Sequence, residues 1–386
     1  MANQTSCIGR GLVALRVKEC VLPKFVLYGM RASARELATK ATGSTFAAVS
    51  GAVVREHLLP LPSTLDEQKQ IVEAIETQFA RLDDAVASLR RARARLKRYR
   101  ASVLKAACEG RLVPTEAELA RQEGRSYEPA SVLLERIRTE REATPGQKRG
   151  KVRATPVLDT AQLSKLPDGW AWTTVEQVAN EVRYGTSAKT HSDPSGVPVL
   201  RMGNIQDGEL NLDSLKYLNH THPEFPALLL QPNDVLFNRT NSAELVGKSA
   251  LYKRPAGAFS YASYLIRVRI VVPSMARLLV YYINSAYGRT WVRSVVNQQV
   301  GQANVNGSKL KALHFPVPPL AEQERIVAEV EQLVSVIEQM EATISANLKR
   351  AGSLRQSILR LAFSGRLVPP DGSDAAGRVI HSMEIA

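Results

Sequence analysis

The sequence predicts an α+β protein in which β-rich, mixed segments are combined with two long helices. Three observations predict this class. Short runs of β-type residues, bounded by Gly, Pro, Asn and Asp clusters, occupy the middle of the chain. A 3–4 apolar spacing extends over two separate segments, and those two segments repeat each other. The length of 386 residues, with 44% hydrophobic and 23% charged residues, is typical of a globular protein of two or three domains.

An internal repeat organises the chain. Pro60-Leu61-Pro62 and the Glu67-Gln68 pair return as Pro316-Val317-Pro318 and Glu322-Gln323, and the motif Gly110-Arg111-Leu112-Val113-Pro114 returns as Gly365-Arg366-Leu367-Val368-Pro369. From Leu65 to Pro114 the offset is 255 residues throughout. The repeat also extends backward, since Val49, Gly51 and Pro60 align with Val305, Gly307 and Pro316, and the segment 16–23 resembles 267–273. A register held this long is not accidental.

Each repeat predicts one long helix with a single apolar stripe. In the first copy the stripe comprises Ile71, Ile75, Leu82, Ala85, Leu89, Leu96, Tyr99, Val103 and Ala106. In the second copy it comprises Ile326, Val330, Leu333, Ile337, Met340, Ile344, Leu348, Ala351, Leu354, Ile358 and Leu361. A 3–4 spacing kept over about five heptads is typical of a coiled coil. Each helix therefore has a predicted length of about 42 residues, roughly 60 Å.

The predicted ends of these helices have recognisable signals. Thr64 and Glu67 form a capping box, and Pro319 is tolerated in a first turn. Gly110 and Gly365 are predicted stops. We interpret the carboxylates of the second helix as a solvated face and first-turn dipole partners, namely Glu322, Glu324, Glu329 and Glu331. The stripe of each helix must be buried against a partner, which is either the other copy in the same chain or a helix of another chain.

The segment 166–316 has the pattern of a complete mixed domain. It opens with the turn 166–170 around Trp170, and the runs 197–202, 234–238 and 265–272 predict strands. Helical spacing of Leu278, Leu279, Tyr282 and Ile283 predicts one helix over 275–295. Only some sixty residues precede the first long helix, so the first copy of this domain is expected to be a remnant.

Polar and basic side chains in the loops of this domain are the candidate DNA-binding residues. Amides bind adenine edges, arginine binds guanine, and hydroxyls position phosphates, although Asn, Gly and Ser are also ordinary turn formers. The candidates are Arg183, Tyr184, Ser187, Lys189, Arg201, Asn204, Asn238, Arg239, Thr240, Asn241, Gln302, Asn304, Asn306 and Lys309.

The net charge of +14 and pI of 9.8 indicate an anionic partner. Residues 1–165 carry 29 basic and 18 acidic side chains, whereas residues 166–386 carry 22 and 19. The excess lies mainly in two runs, Arg90 to Arg100 with seven cations and no acid, and Lys148 to Arg153 in a Pro/Gly-punctuated linker. Such runs are suited to DNA backbone or to an acidic protein surface.

Other function classes lack their signatures. The segment 242–249 ends like a phosphate-binding loop, but Ser242 replaces its first glycine. His220 and His222 have no third ligand in sequence, and the three cysteines have no paired spacing, so neither a metal site nor a disulfide is predicted. No catalytic constellation, dinucleotide fingerprint, secretion signal or membrane-length apolar run is present, and we expect a cytoplasmic protein that is not an enzyme.

The repeated motifs resemble those of the specificity subunit of type I restriction–modification systems. The resemblance rests on Pro-x-Pro running into Glu-Gln-x-x-Ile-Val, the long helix and Gly-Arg-Leu-Val-Pro, all present twice, together with the segments 166–170 and 200–206 and, in the remnant, 7–12. It implies a non-catalytic subunit whose target-recognition domains each read half of a split site in double-stranded DNA. It also implies that the two helices pair antiparallel as a spacer and bind the methylation subunits. S-adenosylmethionine, ATP and Mg are expected in the partner methylation and restriction subunits and not in this chain.

The resulting domain prediction has six parts: a remnant of a first target-recognition domain at 1–62, a first spacer helix at 63–114, a linker with a short helix at 115–165, a complete target-recognition domain at 166–318, a second spacer helix at 319–370 and a tail at 371–386. The short first domain suggests that the chain either no longer specifies a split site alone or recruits a second specificity chain. The alternative is a stand-alone, sequence-specific DNA-binding coiled-coil protein without enzyme partners.

Overall fold

The structure is a computed structural model that describes residues 7–9, 11–42, 48–143, 164–242, 244–299 and 302–368. The predicted linker cations between Lys148 and Arg153 and the predicted tail at 371–386 lie outside these residues. The chain divides into two units: a first unit formed by residues 1–96 and 339–386, and a second unit formed by residues 97–338. None of the described helices is long and apolar enough to cross a membrane.

Helix and sheet are both extensive, as the predicted α+β class requires. The helices are α1 (Pro23–Ala32), α2 (Ala34–Thr39), α3 (Gly51–Arg55), α4 (Leu65–Cys108), α5 (Glu116–Glu123), α6 (Ala130–Ala143), α7 (Val175–Val178), α8 (Pro273–Asn284), α9 (Ala286–Val295), α10 (Gly307–Lys311) and α11 (Leu320–Phe363). The strands are β1 (Ala171–Thr174), β2 (Ala179–Tyr184), β3 (Val197–Leu200), β4 (Ile205–Gln206), β5 (Glu209–Leu210), β6 (Lys216–Leu218), β7 (Val235–Asn238), β8 (Thr240–Asn241), β9 (Ser249–Leu251), β10 (Ser260–Tyr261), β11 (Leu265–Ile270), β12 (Asn297–Gln299), β13 (Gln302–Asn304) and β14 (His314–Val317).

The second unit is built on a four-stranded antiparallel sheet in the order β2-β11-β7-β9. Its central strands are buried on both faces. Along β7, Val235 and Phe237 join a core with α8, α9 and α10, whereas Leu236 joins a second core on the other face. Because both faces are covered, the strand reads in sequence as an uninterrupted apolar run.

Smaller sheets surround this one. The sheet β10-β3-β6 contains one parallel pair, β12-β13-β8 is antiparallel, and β4 pairs with β5. Strand β1 pairs with β14 so that Ala171 lies opposite Val317. This pair closes the start of the domain onto its end, directly before α11 begins.

The prediction of one helix over 275–295 is wrong, because the structure has two helices there. The backbone of Ser285 is extended, and its hydroxyl caps α9 by accepting a hydrogen bond from the Tyr287 amide at 3.2 Å. Gly288 then lies so close to the preceding turn that an added Cβ would sit 2.3 Å from the Ile283 carbonyl oxygen. A serine cap inside an apolar period was not recognised in the sequence. The strand predicted over 265–272 also ends earlier, at Ile270.

Helices α4 and α11 each contain 44 residues. The capping box at the start of α4 is present, since the Glu67 amide donates to Thr64 Oγ1 at 3.2 Å and the Thr64 amide donates to Glu67 Oε2 at 3.1 Å. Within the first unit, α4 packs on α11 through a buried cluster that consists of Phe25, Tyr28, Val72, Ile75, Phe79, Leu82, Ile358, Leu359 and Ala362. Within the second unit, Val103 and Ala107 of α4 pack on Ile326, Val327 and Val330 of α11.

The apolar stripe is wider than the face that these contacts bury. Met340, Leu354 and Leu361 were predicted to lie in the seam, and all three are exposed, as is Tyr99. The three exposed α11 residues differ by multiples of seven, so they form a row that flanks the buried residues. A 3–4 pattern alone does not separate a seam from its flank.

Glu322 was predicted to lie on a solvated face, but its side chain is fully buried, as is that of the neighbouring Gln323. Glu322 accepts hydrogen bonds from the Glu116 amide at 2.8 Å and from Trp170 Nε1 at 2.9 Å. Burial raises the pKa of Glu322 even though these two donors and Arg325 act in the opposite direction. Nothing in the local sequence announces partners that are 206 and 152 residues away.

Candidate nucleic-acid interface

Several candidate side chains converge where β2, β8, β13 and α10 meet in the second unit. Strand β13 pairs with β8, so that Asn304 lies opposite Thr240 and Ala303 opposite Asn241. The amide of Val305 donates to the Arg239 carbonyl at 2.9 Å and continues this pairing. We call the group Tyr184, Arg239, Thr240, Asn241 and Asn304 the polar edge surface.

Tyr184 fixes one side of the polar edge surface. Its hydroxyl accepts a hydrogen bond from the Gly307 amide at 2.6 Å, which ties the end of β2 to the first turn of α10. The guanidinium carbon of Arg239 lies 4.8 Å from the Tyr184 ring centroid, and Arg239 Nη1 donates to the Ser263 carbonyl at 3.4 Å. The ring remains 42% exposed. An arginine plane on a partly exposed tyrosine offers both a cation and a stacking face.

Two polar atoms at this surface have no hydrogen-bond partner in the described part of the chain. Arg239 Nε and Asn304 Oδ1 are buried and make no hydrogen bond within the described residues. Buried polar atoms without partners are rare in native proteins and call for a specific explanation. One donor and one acceptor therefore lack a partner that a water molecule or a ligand reaching them would supply.

A buried ionic network supports the strands behind the surface. Arg267 of β11 is fully buried, bonds the Glu181 carboxylate, donates to the Leu229 carbonyl at 3.0 Å and lies over the Tyr261 ring. The neighbouring Arg269 binds both oxygens of Asp234, at 2.7 and 2.8 Å. The hydrogen bond to Asp234 raises the pKa of Arg269. These charges are engaged in the fold and are not available to a ligand.

The loop after β2 places two more candidates beside the surface. Gly185 has no room for a side chain, since a Cβ would lie 2.3 Å from the Tyr261 carbonyl oxygen. Thr186 then bridges to Ala262, and its hydroxyl accepts from the Ala188 amide at 3.0 Å. Ser187 and Lys189 on this loop are exposed.

Other candidates take structural roles. Asn238 and Asn204 are 1% and 5% exposed, so neither side chain lies on the surface. Asn204 caps its own turn by accepting from the Arg201 amide at 2.8 Å and donating to the Asn211 carbonyl at 2.7 Å. The guanidinium of Arg201 donates to the Ser214 carbonyl at 3.1 Å. Arg201 and Asn204 lie between β3 and β4, and Asn238 is the buried last residue of β7, so these three are not part of the polar edge surface.

Of the remaining candidates, Asn306 and Lys309 lie at α10, Gln302 lies on β13 and Arg183 lies on β2. Asn306 is exposed, but its side chain caps the helix by accepting from the Lys309 amide at 2.9 Å. The Lys309 ammonium bonds the Val295 carbonyl. The exposed face of Arg183 carries an ion pair with Glu181 at 2.7 Å.

Tyr264 is a surface residue that the sequence reasoning missed. Its carbonyl accepts from the Arg239 amide at 3.0 Å, and its side chain is 47% exposed. It directly precedes the apolar run that forms β11, and its residue type is also typical of a strand. The sequence carries no signal that separates this tyrosine from the buried residues of that run, because its exposure is set by the tertiary structure. Among the described residues no group of three or more His, Cys, Asp or Glu is arranged to hold a metal ion.

Comparisons with known proteins agree with the class that the fold defines, a mixed helix-and-sheet domain connected to long helices. Residues 167–350 match the family described as type I restriction modification DNA specificity domain. The chain is 26% identical over 311 residues to the EcoKI specificity subunit of Escherichia coli K12, covering 80% of this chain and 57% of that one. It is 26% identical to the StySPI specificity subunit of Salmonella potsdam, covering 92% and 67%.

A solved structure supports the fold. It is described as the structural basis of complex assembly and conformational transition of the type I R-M system, and one of its chains superimposes with a TM-score of 0.55 at 19% identity, covering 89% of this chain and 71% of that one. Residues 167–350 therefore form a domain of this family, and the chain is similar to specificity subunits of type I restriction–modification systems. It spans about six tenths of the length of the curated relatives that it matches.

Proposed function

We propose that this chain is the DNA sequence-specificity subunit of a type I restriction–modification complex. In this proposal the domain at 166–318 reads double-stranded DNA, and the chain also holds the methylation and restriction subunits. The observation that carries the proposal is the polar edge surface: a stacking tyrosine, an arginine, amides and a hydroxyl, with unpartnered Arg239 Nε and Asn304 Oδ1, on a domain that matches a DNA specificity family.

The polar edge surface is suited to base reading because its groups are held by backbone contacts. Thr240 and Asn241 lie in a strand paired on β13, and Tyr184 is fixed by the Gly307 amide. Side chains on rigid elements present donors and acceptors at fixed positions, which sequence discrimination requires. We assign base contact to Arg239, Thr240, Asn241 and Asn304, and flanking phosphate contact to Ser187 and Lys189.

Helices α4 and α11 are proposed to form the antiparallel coiled-coil spacer. In the first unit Asp83 pairs with Arg355, and in the second unit Arg100 pairs with Glu338 at 3.6 Å. As the residue number rises along α4 from 83 to 100, the number of its partner on α11 falls from 355 to 338, which is the pattern of antiparallel helices. The proposed segments are 63–114 and 319–370, the linker 115–165, the first-domain remnant 1–62 and the tail 371–386.

The chemistry is proposed to belong to other subunits. This chain supplies recognition and is non-catalytic, while S-adenosylmethionine binds the methylation subunits and ATP and Mg bind the restriction subunits, in the cytoplasm. The other candidate function is a stand-alone DNA-binding protein, favoured by nothing in the site itself.

Base-resolved methylation mapping of host DNA, with and without the gene, tests the proposal. We expect one two-part methylated motif that disappears with the gene. Thr240→Val with Asn241→Ala should abolish or change the motif, whereas Asn219→Ala, an exposed asparagine outside the polar edge surface, should leave it intact. Methylation that is indifferent to the gene would contradict the proposal. Failure of the purified chain to bind a methylation subunit, together with specific DNA binding, would favour the stand-alone alternative.

A further inference from the structure

The middle of α4 in the first unit carries a dense group of exposed cations. Arg90, Arg91, Arg93 and Arg95 are all exposed, and residues 85–96 contain no acidic side chain. The facing part of α11, residues 342–363, also contains no acid. We call the four arginines together with Lys349 and Arg350 of α11 the arginine surface.

The two helices bring their cations to the same level within the first unit. Asp83 of α4 pairs with Arg355 of α11, which sets the local register. Because antiparallel helices advance equally in opposite directions, Lys349 and Arg350 lie level with residues 88 and 89, about 9 Å along the helix from that pair. Both side chains are exposed.

The cations of this surface are not engaged by the fold. Among the described residues, the hydrogen bond or ion pair made by the arginine surface is that of Arg91 Nη2 to Ser88 Oγ at 2.7 Å. Arg90 and Arg93 stand three residues apart, and Arg91 and Arg95 four apart, so like charges adjoin in two rows on the outward side of the helix. Such pairs destabilise an isolated helix.

The internal repeat indicates that the helix does not need these arginines. With the offset of 255, Arg90, Arg91 and Arg93 correspond to Ser345, Ala346 and Leu348. The second copy is a continuous helix through those positions. The charges therefore serve something other than helix formation or the apolar seam.

We infer that the arginine surface binds the phosphate backbone of double-stranded DNA without reading its sequence. This inference rests on the proposed function for the choice of polyanion. Guanidinium groups bind phosphate oxygens bidentately, and duplex DNA carries one charge per about 1.7 Å of its axis. Two rows of cations over about 8 Å of helix therefore meet several phosphates at once.

The composition of the surface favours duplex DNA over other anionic ligands. Residues 85–96 expose no large hydrophobic side chain, whereas protein interfaces depend on buried apolar or aromatic anchors. Residues 85–96 and 342–362 also contain no aromatic residue, whereas single-stranded nucleic acid is bound by stacking on aromatic rings.

The experiment measures binding of the full chain to a random-sequence 30-base-pair duplex by fluorescence anisotropy over a series of KCl concentrations. The variant Arg90→Ser/Arg91→Ala/Arg93→Gln introduces the repeat's own residues at two positions. Each lost phosphate contact lowers the slope of log affinity against log salt by about 0.9. We expect the slope to fall by about 2–3 and affinity at fixed moderate salt to fall about 10- to 100-fold. Lys349→Gln/Arg350→Gln should lower the slope further.

A matched variant removes the same charge elsewhere. Arg121→Gln/Arg136→Gln/Arg138→Gln removes three exposed arginines that are paired with Asp168, Glu128 and Glu135, and it should leave the slope nearly unchanged. An equal fall in both variants, or an unchanged slope in the first, overturns the inference. So does loss of a methylation subunit from the complex with an unchanged slope, which would assign the arginines to an acidic protein.

The outcome is separable from that of the proposed function. A chain that binds every duplex equally, but whose steep salt slope is lost in the arginine variant, would contradict sequence reading and support the phosphate contact. A normal methylation motif together with an unchanged salt slope in the arginine variant would support sequence reading and contradict the phosphate contact. Circular dichroism of each variant checks that the helices are retained.

Discussion

The two copies of the repeat use the same residues in different surroundings. Glu67 caps the start of α4 and is partly exposed, whereas its counterpart Glu322 is fully buried and bonded to Glu116 and Trp170. The difference arises because the second copy is covered by chain from its own domain and from the segment after α4. A glutamate at equivalent positions thus lies at the start of a long helix in both copies, and the surrounding segments decide whether it is buried and how much it stabilises the fold.

Gln68 and Gln323 show the opposite case, in which the role is kept. Gln68 accepts from the Leu22 amide at 2.9 Å, at the residue before α1, and donates to the Cys20 carbonyl. Gln323 accepts from the Ser274 hydroxyl at 2.9 Å, in the first turn of α8, and donates to the Pro318 carbonyl. Each buried glutamine thus holds the start of the proline-initiated helix that its copy of the domain contributes.

The largest difference between the copies is expected at the glutamates. Glu322→Ala leaves the Glu116 amide and the Trp170 indole without an acceptor in a buried site and should cost about 3 kcal/mol. Glu67→Ala removes half of a capping box and should cost about 0.5–1 kcal/mol. All three tryptophans, at positions 170, 172 and 291, lie in the second unit, so urea unfolding followed by tryptophan fluorescence measures the first cost. Hydrogen exchange in the first turns of α4 measures the second. Equal costs would contradict the distinction.

The glycines that end the long helices give the next comparison. Gly110 and Gly365 both have left-handed backbone, with φ of 66° and 71°. A Cβ at Gly110 would meet Pro167 Cγ at 2.7 Å, whereas a Cβ at Gly365 would meet none of the described residues within 4 Å. Gly365→Ala should therefore cost only the backbone strain, about 1 kcal/mol, and Gly110→Ala about 3 kcal/mol because a clash is added. Thermal unfolding of both variants measures this difference in stability. Equal losses in the two variants would contradict the assignment of the extra cost at Gly110 to the clash with Pro167.

The paired glutamines should behave alike. Gln323→Ala and Gln68→Ala each remove a buried donor and acceptor and should each cost about 1–3 kcal/mol. Faster hydrogen exchange is expected at the start of α8 in the first variant and at the start of α1 in the second. A glutamate in place of either glutamine turns an acceptor toward the Cys20 or Pro318 carbonyl oxygen in a buried site, and should cost at least as much as alanine. An effect confined to one copy would show that the two roles are not equivalent.

The smallest expected effect is the pH dependence of the stability of the second unit, which depends on Glu116. Burial raises the pKa of Glu116, but hydrogen bonds from Arg125 and Arg325 outweigh it, so the pKa lies below the ordinary 4.5. A lowered folded pKa stabilises the protein above the unfolded pKa, and this contribution is lost as pH falls through the folded pKa. Glu116→Gln should therefore weaken the acid sensitivity of the urea midpoint between about pH 6 and pH 3.5. An unchanged pH profile would contradict the ionic role of Glu116.

The features predicted correctly were those written locally in the chain. The capping box of Thr64 and Glu67 and the mixed fold class follow from nearest neighbours and periodicity, as do the strands predicted at 234–238 and 265–272, which the structure places at 235–238 and 265–270. The break at Ser285 was missed because a cap hydroxyl inside an apolar period leaves the period unchanged. Of the candidate DNA-binding residues, Asn204 and Asn238 proved buried, because an amide at the end of a strand serves a turn as readily as a ligand.

The sequence by itself determined the repeat, the class of the fold, the two long helices and the location of the unbalanced charge at 90–95. These properties depend only on residue order and composition, which the amino-acid sequence contains in full. Only the tertiary structure decided that Glu322 is buried, that Met340 and Leu354 are not, and that Tyr184, Arg239 and Asn304 share one surface. Those outcomes depend on which distant segments meet, and pairings between residues more than fifty positions apart leave no periodic signal in a single sequence.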